Sequence, residues 1–214
     1  MEKIDNFYKK IHGSVFAILG VVIFFLLFII SVILYARLAP FSLTTKYISD
    51  LGAGPCPVGN VIFTINLILT SILMIISHIF FVRYLQKRGG NSILLSIALI
   101  GGVTSSIGLM MLGIFPKYTF EAQHQMASYI YFGAGVAYLI FYGITELKME
   151  NIPRYQSSLN FVVMVFYLLY LIFKILVKAN TGFPTEIEKV TEWLMLFSTL
   201  FWFIEFGWFT RKNR

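Results

Sequence analysis

Three residues have types and a placement that could support chemistry together: Ser49, Asp50 and His124. Ser49 and Asp50 lie in the polar, turn-rich stretch YISDLGAGPCPVGN (Tyr47–Asn60), which separates two long apolar runs. His124 begins a later apolar run, on the same side of the predicted bundle. An Asp with a His can act as general acid and base, or can supply two ligands of a metal ion. Ser49 is the neighbouring candidate nucleophile, so these three residues form the candidate catalytic set.

Asp50 also has a purely structural interpretation, because a carboxylate in a turn can accept backbone N–H groups. No G-x-S-x-G, H-E-x-x-H, Walker or Rossmann motif accompanies the three residues. Catalytic zinc takes three protein ligands, and two of the chain's three histidines, His12 and His78, are predicted at the opposite face. We therefore predict no cofactor, while zinc held by Asp50, His124 and Glu121 is an alternative. Whether the protein is an enzyme stays open.

The composition places the chain among membrane proteins. Hydrophobic residues make up 58% of it, charged residues 13%, and the mean hydropathy is +0.80, whereas soluble domains carry about 25% charged residues. The net charge of +7 comes mostly from Lys and Arg that flank apolar runs. This placement suits lipid headgroups and topology control, so we expect no nucleic-acid partner. The single cysteine, Cys56, excludes an intrachain disulfide.

Six apolar runs predict an all-α polytopic membrane protein with six transmembrane helices in one bundle, and residues 1–214 as a single domain. Each run is long enough to cross the hydrocarbon, which takes about 20 helical residues. The predicted spans are residues 14–36, 58–82, 92–114, 125–145, 158–177 and 190–210.

The distribution of basic residues predicts the orientation of this bundle. Eleven Lys and Arg lie at the end that carries both termini, against five in the opposite connections. The positive-inside rule then places both termini in the cytoplasm of a multi-pass protein of the cell membrane. Residues 47–60, which include Asp50, and residues 115–124 and 178–189 are predicted to face outward.

Polar residues inside the spans predict either interhelical hydrogen bonds or a ligand-lined groove. Asn66 and Thr70 lie on one face of the second span, and Ser105 and Ser106 lie in the GGVTSSIG stretch of the third. Polar side chains at membrane depth must face protein or water rather than lipid. These four residues are therefore the candidate lipid or ligand groove.

Other ionisable residues are expected at positions where a charge costs little, either at the membrane interface or in an ion pair. His78 and Glu146 are predicted at span ends, where their polar groups can reach the interface. Lys174 is predicted to pair with Glu192 across the hairpin that joins the last two spans, with contact to a substrate as the alternative.

Two ordered motifs resemble a prokaryotic six-helix family, the domain of unknown function nine-nine-eight. The first is an outer SDLG followed by Pro57 and Asn60, which open the second span. The second is GIFP (Gly113–Pro116) followed by His124 and a helix of small residues. The resemblance implies a six-helix bundle with the Ser and Asp of SDLG and His124 as polar family positions, and it brings no established reaction. A more distant likeness is to membrane hydrolases that include alkaline ceramidases, which use a set of histidines absent here.

These observations favour a membrane protein of unknown activity that interacts with membrane lipids through an extracytoplasmic polar site. The alternative is a membrane-embedded lipid hydrolase or transferase that uses Asp50 and His124, with or without a metal ion. A small transporter is disfavoured, because no inverted repeat is visible in the sequence. A membrane-protein partner or a homo-oligomer is compatible with every one of these functions.

Overall fold

The computed structural model describes residues 2–213, which fold into seven α-helices and one 3-10 helix. The α-helices are α1 (Glu2–Lys10), α2 (Ser14–Ala36), α3 (Pro57–Lys87), α4 (Ser92–Ile114), α5 (Glu121–Leu147), α6 (Arg154–Lys178) and α7 (Thr185–Lys212). The 3-10 helix spans Ile48–Gly52, between α2 and α3. Helices α2 to α7 are long and apolar enough to cross a membrane, which confirms the predicted all-α fold with six spans.

Four of the six helices extend beyond the predicted spans. Helix α3 has 31 residues, about 46 Å at 1.5 Å per residue, whereas the hydrocarbon is about 30 Å thick. Apolar runs mark only the part of a helix that lies in lipid, so they cannot show where polar turns prolong it. The additional turns of α3, α5, α6 and α7 carry groups that fasten the connections at both ends of the bundle.

The outer surface of the bundle is apolar. On α2, Val22, Leu26, Ile29 and Ile33 are each about half exposed. A continuous belt of exposed aliphatic side chains is unfavourable in water and matches the hydrocarbon of a bilayer. The fold is therefore that of a multi-pass membrane protein.

The six spans form a closed ring. Each of helices α2 to α6 packs against the next helix in the chain, and α7 packs against both α6 and α2. The connections α2–α3, α4–α5 and α6–α7 meet at one end, here called the cap end, and the chain termini meet at the opposite end, here called the terminal end. A ring of this kind surrounds a central space.

Small residues allow α4 and α5 to approach closely. A Cβ placed on Gly108 would lie 2.5 Å from the backbone nitrogen of Tyr131, and one placed on Gly101 would lie 3.1 Å from that of Tyr138. Close backbone contact at small residues is a main source of helix association in lipid. These glycines explain why α4 and α5 form the most extensive helix pair of the fold.

His78 and Glu146 lie in the core at the terminal end, so their predicted position at the interface is wrong. Both side chains are fully buried. The His78 ring lies among aromatic rings, which include those of Tyr138 and Phe203 at centroid distances of 4.8 and 5.4 Å. Glu146 Oε2 accepts a hydrogen bond of 2.7 Å from Asn160 Nδ2. The extra turns of α3 and α5 place these residues deeper in protein than the apolar runs suggest.

Helix α1 is a short amphipathic helix that the sequence did not predict. Its Asp5 carboxylate forms ion pairs with Arg83 at 2.8 Å and Lys87 at 3.1 Å, and the Tyr8 hydroxyl donates to the backbone oxygen of Ile76. The hydrogen bond from Arg83 is the main reason that the pKa of Asp5 falls to about 2. Helix α1 is thereby fixed to the end of α3.

Candidate functional site

A rigid turn opens α3 at the cap end. Asn60, in the first turn of α3, accepts a hydrogen bond from the backbone nitrogen of Gly54 and donates one to the oxygen of the same residue, both at 3.0 Å. Position 54 has no room for a side chain, because a Cβ there would lie 2.3 Å from the Tyr35 ring. Pro57 is the first residue of the helix, where its missing N–H costs nothing. The Pro, Gly and Asn residues of the SDLG region therefore build this turn.

Asp50 connects the 3-10 helix to the α4–α5 connection. Its Oδ2 accepts a hydrogen bond of 2.9 Å from the backbone nitrogen of Tyr47, which caps the 3-10 helix. Its Oδ1 accepts hydrogen bonds from Lys117 Nζ at 3.0 Å and from the Tyr118 hydroxyl at 2.9 Å. Partial burial and the hydrogen bond to Asp50 raise the pKa of Tyr118 to about 12, so the phenol stays a donor. We call these contacts the Asp50 latch.

A second set of contacts fastens the same segment to α7. The Tyr47 hydroxyl donates to Glu188 Oε2 at 2.6 Å, and the backbone nitrogen of Ile48 donates to Glu192 Oε2 at 2.8 Å. The Trp193 indole donates to the backbone oxygen of Lys46 at 3.0 Å. Burial and the hydrogen bond to Glu188 raise the pKa of Tyr47, which keeps its phenol protonated. Residues 46–50 are thus held between α7 and the α4–α5 connection.

Residues 46–50, here called the cap, cover one side of a deep cavity of about 490 Å³. Polar side chains near the cap end form the mouth of this cavity, among them Ser49, Glu121, His124, Lys117, Lys174, Lys178, Glu188 and Glu192. Apolar side chains line it further in: Phe24, Leu67, Met74, Leu109, Leu196 and Phe203. On α7 the lining runs from Glu188 to Phe203, which is about 22 Å along the helix. The cavity therefore has a polar mouth and an apolar interior that reaches far into the bundle.

The three candidate catalytic residues lie around the mouth, in different positions relative to the cavity. Ser49 and His124 line the cavity, whereas Asp50 is almost fully buried behind the lining. His124 Nδ1 lies 2.7 Å from the backbone oxygen of Phe115. Because a carbonyl only accepts, Nδ1 carries the proton and a neutral ring presents Nε2 as an acceptor. Among residues 2–213, no hydrogen bond joins Asp50 to His124.

The four candidate groove residues are mostly engaged in helix packing. Asn66 Nδ2 donates to the backbone oxygen of Phe24 on α2 at 3.1 Å, and Ser105 Oγ donates to that of Tyr131 on α5 at 2.8 Å. The Ser106 hydroxyl donates within α4. Thr70 lines the cavity while its hydroxyl donates to Asn66. All four residues thus form interhelical or intrahelical hydrogen bonds, and Thr70 also lies in the cavity wall.

Lys174 and Glu192 are joined through a tyrosine rather than directly. The Tyr170 hydroxyl donates to Glu192 Oε1 and accepts from Lys174 Nζ, both at 3.4 Å. Sequence reasoning missed Tyr170, together with Tyr47, Tyr118 and Glu188, as members of the mouth. Tyr47, Tyr118 and Glu188 lie in predicted outer connections, which is their only signal in the sequence, whereas Tyr170 lies inside the fifth predicted span and has no such signal.

No group of three or more His, Cys, Asp or Glu side chains within residues 2–213 is arranged to hold a metal ion. Asp50, His124 and Glu121, the set considered for zinc, have separate hydrogen-bond partners. The Asp50 oxygens are taken up by the latch, and Glu121 Oε1 accepts from Gln125 at 3.2 Å.

A closed ring of six apolar helices around a cavity with a polar mouth defines a multi-pass helical membrane protein. Within that class, the chain belongs to the family described as Protein of unknown function (DUF998), whose sequence profile matches residues 18–208. The resemblance carried by the SDLG and GIFP motifs is thereby confirmed. No curated protein and no solved structure matches the chain. The family description names no activity, so a function must be argued from the cavity.

Proposed function

We propose that this membrane protein binds an amphiphilic lipid in its central cavity, with the polar head at the cap end and a hydrocarbon tail in the apolar interior. The observation that carries this proposal is the division of the cavity wall, which extends about 22 Å along α7, into a polar mouth and an apolar interior. A ligand that matches both regions must itself be amphiphilic.

The size of the cavity supports a molecule of lipid class. Ligand pockets typically measure about 300–1,000 Å³ and are mostly apolar, with a few polar groups that orient the ligand. The cavity of about 490 Å³ lies in this range, and small residues such as Ala17, Gly20 and Thr70 widen its wall. In a bilayer, lipids are the apolar ligands present at the highest concentration.

The charge pattern of the chain supports an outer-leaflet site. If the terminal end faces the cytoplasm, as the excess of basic residues there predicts, the mouth opens at the extracytoplasmic surface of the cell membrane. The head would then lie at headgroup depth, because the cap connections extend beyond the apolar parts of the helices.

A membrane-embedded lipid hydrolase or transferase is a second candidate, and one observation favours it. Ser49 and His124 line the same polar mouth, and a neutral His124 presents Nε2 as a proton acceptor. In that case Asp50 acts by holding the cap and not as the partner of His124. Mass analysis after incubation with an ester-linked phospholipid tests this candidate. The wild type should form a cleaved product, whereas the His124→Gln variant should bind the intact lipid and form no product.

Native mass spectrometry of the detergent-purified protein tests lipid binding. Leu196 lines the cavity about 12 Å below Glu188 along α7, so Leu196→Trp places an indole in the space proposed for the tail. Leu194 is 47% exposed on the outer face of the same helix, so Leu194→Trp is the matched control. We expect a lipid adduct on the wild type and on Leu194→Trp, and its loss from Leu196→Trp.

Overpacking a core costs about 1–3 kcal/mol, so Leu196→Trp could lose the lipid because it misfolds. A variant that adds less volume controls for this effect. Leu200→Phe fills the same cavity with less added volume, and we expect it to reduce the adduct in a protein of unchanged helicity. An adduct that persists equally in both filling variants would mean that the lipid binds outside the cavity. A wild type that binds no lipid from an added mixture would contradict the proposal.

A further inference from the structure

The polar mouth contains carboxylates and amines. These groups differ in the hydrogen-bond and ion-pair partners that the protein itself supplies. Glu188 accepts from the Tyr47 hydroxyl, and Glu192 accepts from the backbone of Ile48. Glu121 accepts from a neighbouring side chain on α5. The acidic groups of the mouth are thus occupied by donors of the protein and have less capacity for a ligand.

The amines of the mouth are not all occupied in this way. Lys117 is neutralised by its ion pair with Asp50 at 3.0 Å. Lys178 is exposed and donates to Gln125 Oε1 at 2.8 Å. Lys174 lies one turn deeper on α6, where Nζ reaches the Tyr170 hydroxyl at 3.4 Å, a long hydrogen bond to a neutral group.

Like Lys178, Lys174 has no direct counterion in the described part of the chain, but it is the less exposed of these two amines and lies one turn deeper. Among residues 2–213, no carboxylate oxygen lies within 4.0 Å of its ammonium group. The side chain lines the cavity, and its ammonium lies 6.0 Å from the ring centre of Tyr129 and 5.5 Å from that of Tyr170. Burying a charge without a partner is costly, so an anion at this position would be stabilised.

We propose that Lys174 binds the anionic group of the amphiphile, a phosphate or a carboxylate, and that the cavity thereby selects anionic over neutral heads. This inference rests on the proposed lipid-binding function and adds its ligand class. Lys174 belongs to the polar part of the lining, so the anionic group would sit at the mouth and the tail would continue inward. The Tyr170 hydroxyl, which contacts both Lys174 and Glu192, holds the amine in place.

Three single-chain probes with the same tail and different heads test the selectivity: monododecyl phosphate, dodecanoate and dodecyl maltoside. Binding is measured by native mass spectrometry in a sterol-based detergent. We expect the wild type to bind at least one of the anionic probes about tenfold or more tightly than the maltoside, since a hydrogen bond to a charged group typically contributes that much. Lys174→Met should remove this preference and leave maltoside binding unchanged.

Two matched variants separate the role of Lys174 from general charge and folding effects. Lys178→Met removes a mouth lysine that is exposed and already bonded, and it should keep the preference. Lys174→Arg retains a cation and should restore at least part of it. A preference that survives in Lys174→Met, or that falls equally in Lys178→Met, would overturn the assignment to Lys174.

The outcomes also distinguish this inference from the function on which it rests. Equal binding of all three probes to the wild type, abolished by Leu196→Trp, would overturn the selectivity and support the cavity as a lipid site. No binding of any probe would contradict the proposed function itself. Inorganic phosphate is the remaining probe. If inorganic phosphate, which has no tail, binds as tightly as monododecyl phosphate, then Lys174 binds a free anion rather than a lipid head. This result would also overturn the inference.

Discussion

Replacing Asp50 with alanine should open the cap without unfolding the spans. The substitution removes the acceptor of three hydrogen bonds, from Tyr47 N, Lys117 Nζ and the Tyr118 hydroxyl. Loss of a helix cap costs about 0.5–2 kcal/mol. The Lys117 side chain is 25% exposed, so its ion pair adds about 1 kcal/mol at most, and a hydroxyl hydrogen bond adds about 1 kcal/mol. The total is about 3 kcal/mol, all within the Asp50 latch.

A change of about 3 kcal/mol raises the population of the open cap by roughly 100-fold. The peptide bond after Lys46 reports this opening, because its carbonyl oxygen is the acceptor of the Trp193 indole in the closed cap. When reclosing is fast, the rate of tryptic cleavage follows the open population. We therefore expect cleavage after Lys46 to accelerate by about two orders of magnitude in Asp50→Ala, with a parallel loss of the bound amphiphile.

Asp5→Ala is the matched control, because it removes an Asp that pairs with basic side chains at the terminal end. It should accelerate cleavage near α1 and leave the bond after Lys46 unchanged. An Asp50→Ala protein whose Lys46 bond is cleaved less than threefold faster, and which still retains its lipid, would refute the role given to the latch.

Three further predictions concern packing and pH. Gly108→Ala should destabilise the protein by about 1–3 kcal/mol in a thermal unfolding assay, because the added Cβ would meet the backbone of α5. Gly133→Ala is the control, since a Cβ at that position would have nothing within 4 Å, and it should be neutral or slightly stabilising in the same assay. Asn160→Ala should cost about 1–3 kcal/mol, because it leaves the buried Trp202 indole N–H unpaired; a melting temperature equal to the wild type would contradict this. The pKa of Tyr118 is raised to about 12 from an ordinary value of 10.0. The stability that its protonated phenol contributes is therefore complete below pH 10 and is lost as the pH rises toward 12. The melting temperature should fall more steeply over that interval in the wild type than in Tyr118→Phe.

The six spans could be predicted because each needs only about 20 consecutive apolar residues, which is a local property of the chain. Helix ends depend instead on contacts between distant segments. The extra turns of α3 and α5 bring His78 and Glu146 into an aromatic core where Asn160 supplies a hydrogen bond. No pattern around either residue shows this depth, and for that reason the predicted interfacial position was wrong.

The sequence predicted the end of the bundle at which Asp50 and His124 lie, but not the contacts that each of them makes. The polar, turn-rich sequence around Asp50 and the position of His124 indicated one end of the bundle, where both residues lie. The partners of Asp50 are Lys117 and Tyr118, which are 67 and 68 residues away along the chain. Such pairings follow from how the connections fold over the bundle, and a single sequence contains no direct signal for them. The roles of Ser49 and His124 in chemistry stay predictions.

The most direct test of the central claim is photo-crosslinking with a single-chain lipid that carries a diazirine near the end of its tail. We expect adducts on cavity-lining residues of the interior, such as Met74, Leu196 and Phe203, and their loss when excess unlabelled lipid is added. Adducts confined to outward-facing residues such as Leu26 and Leu194 would show that lipid contacts only the outer surface, and would contradict the proposal that the cavity holds the tail.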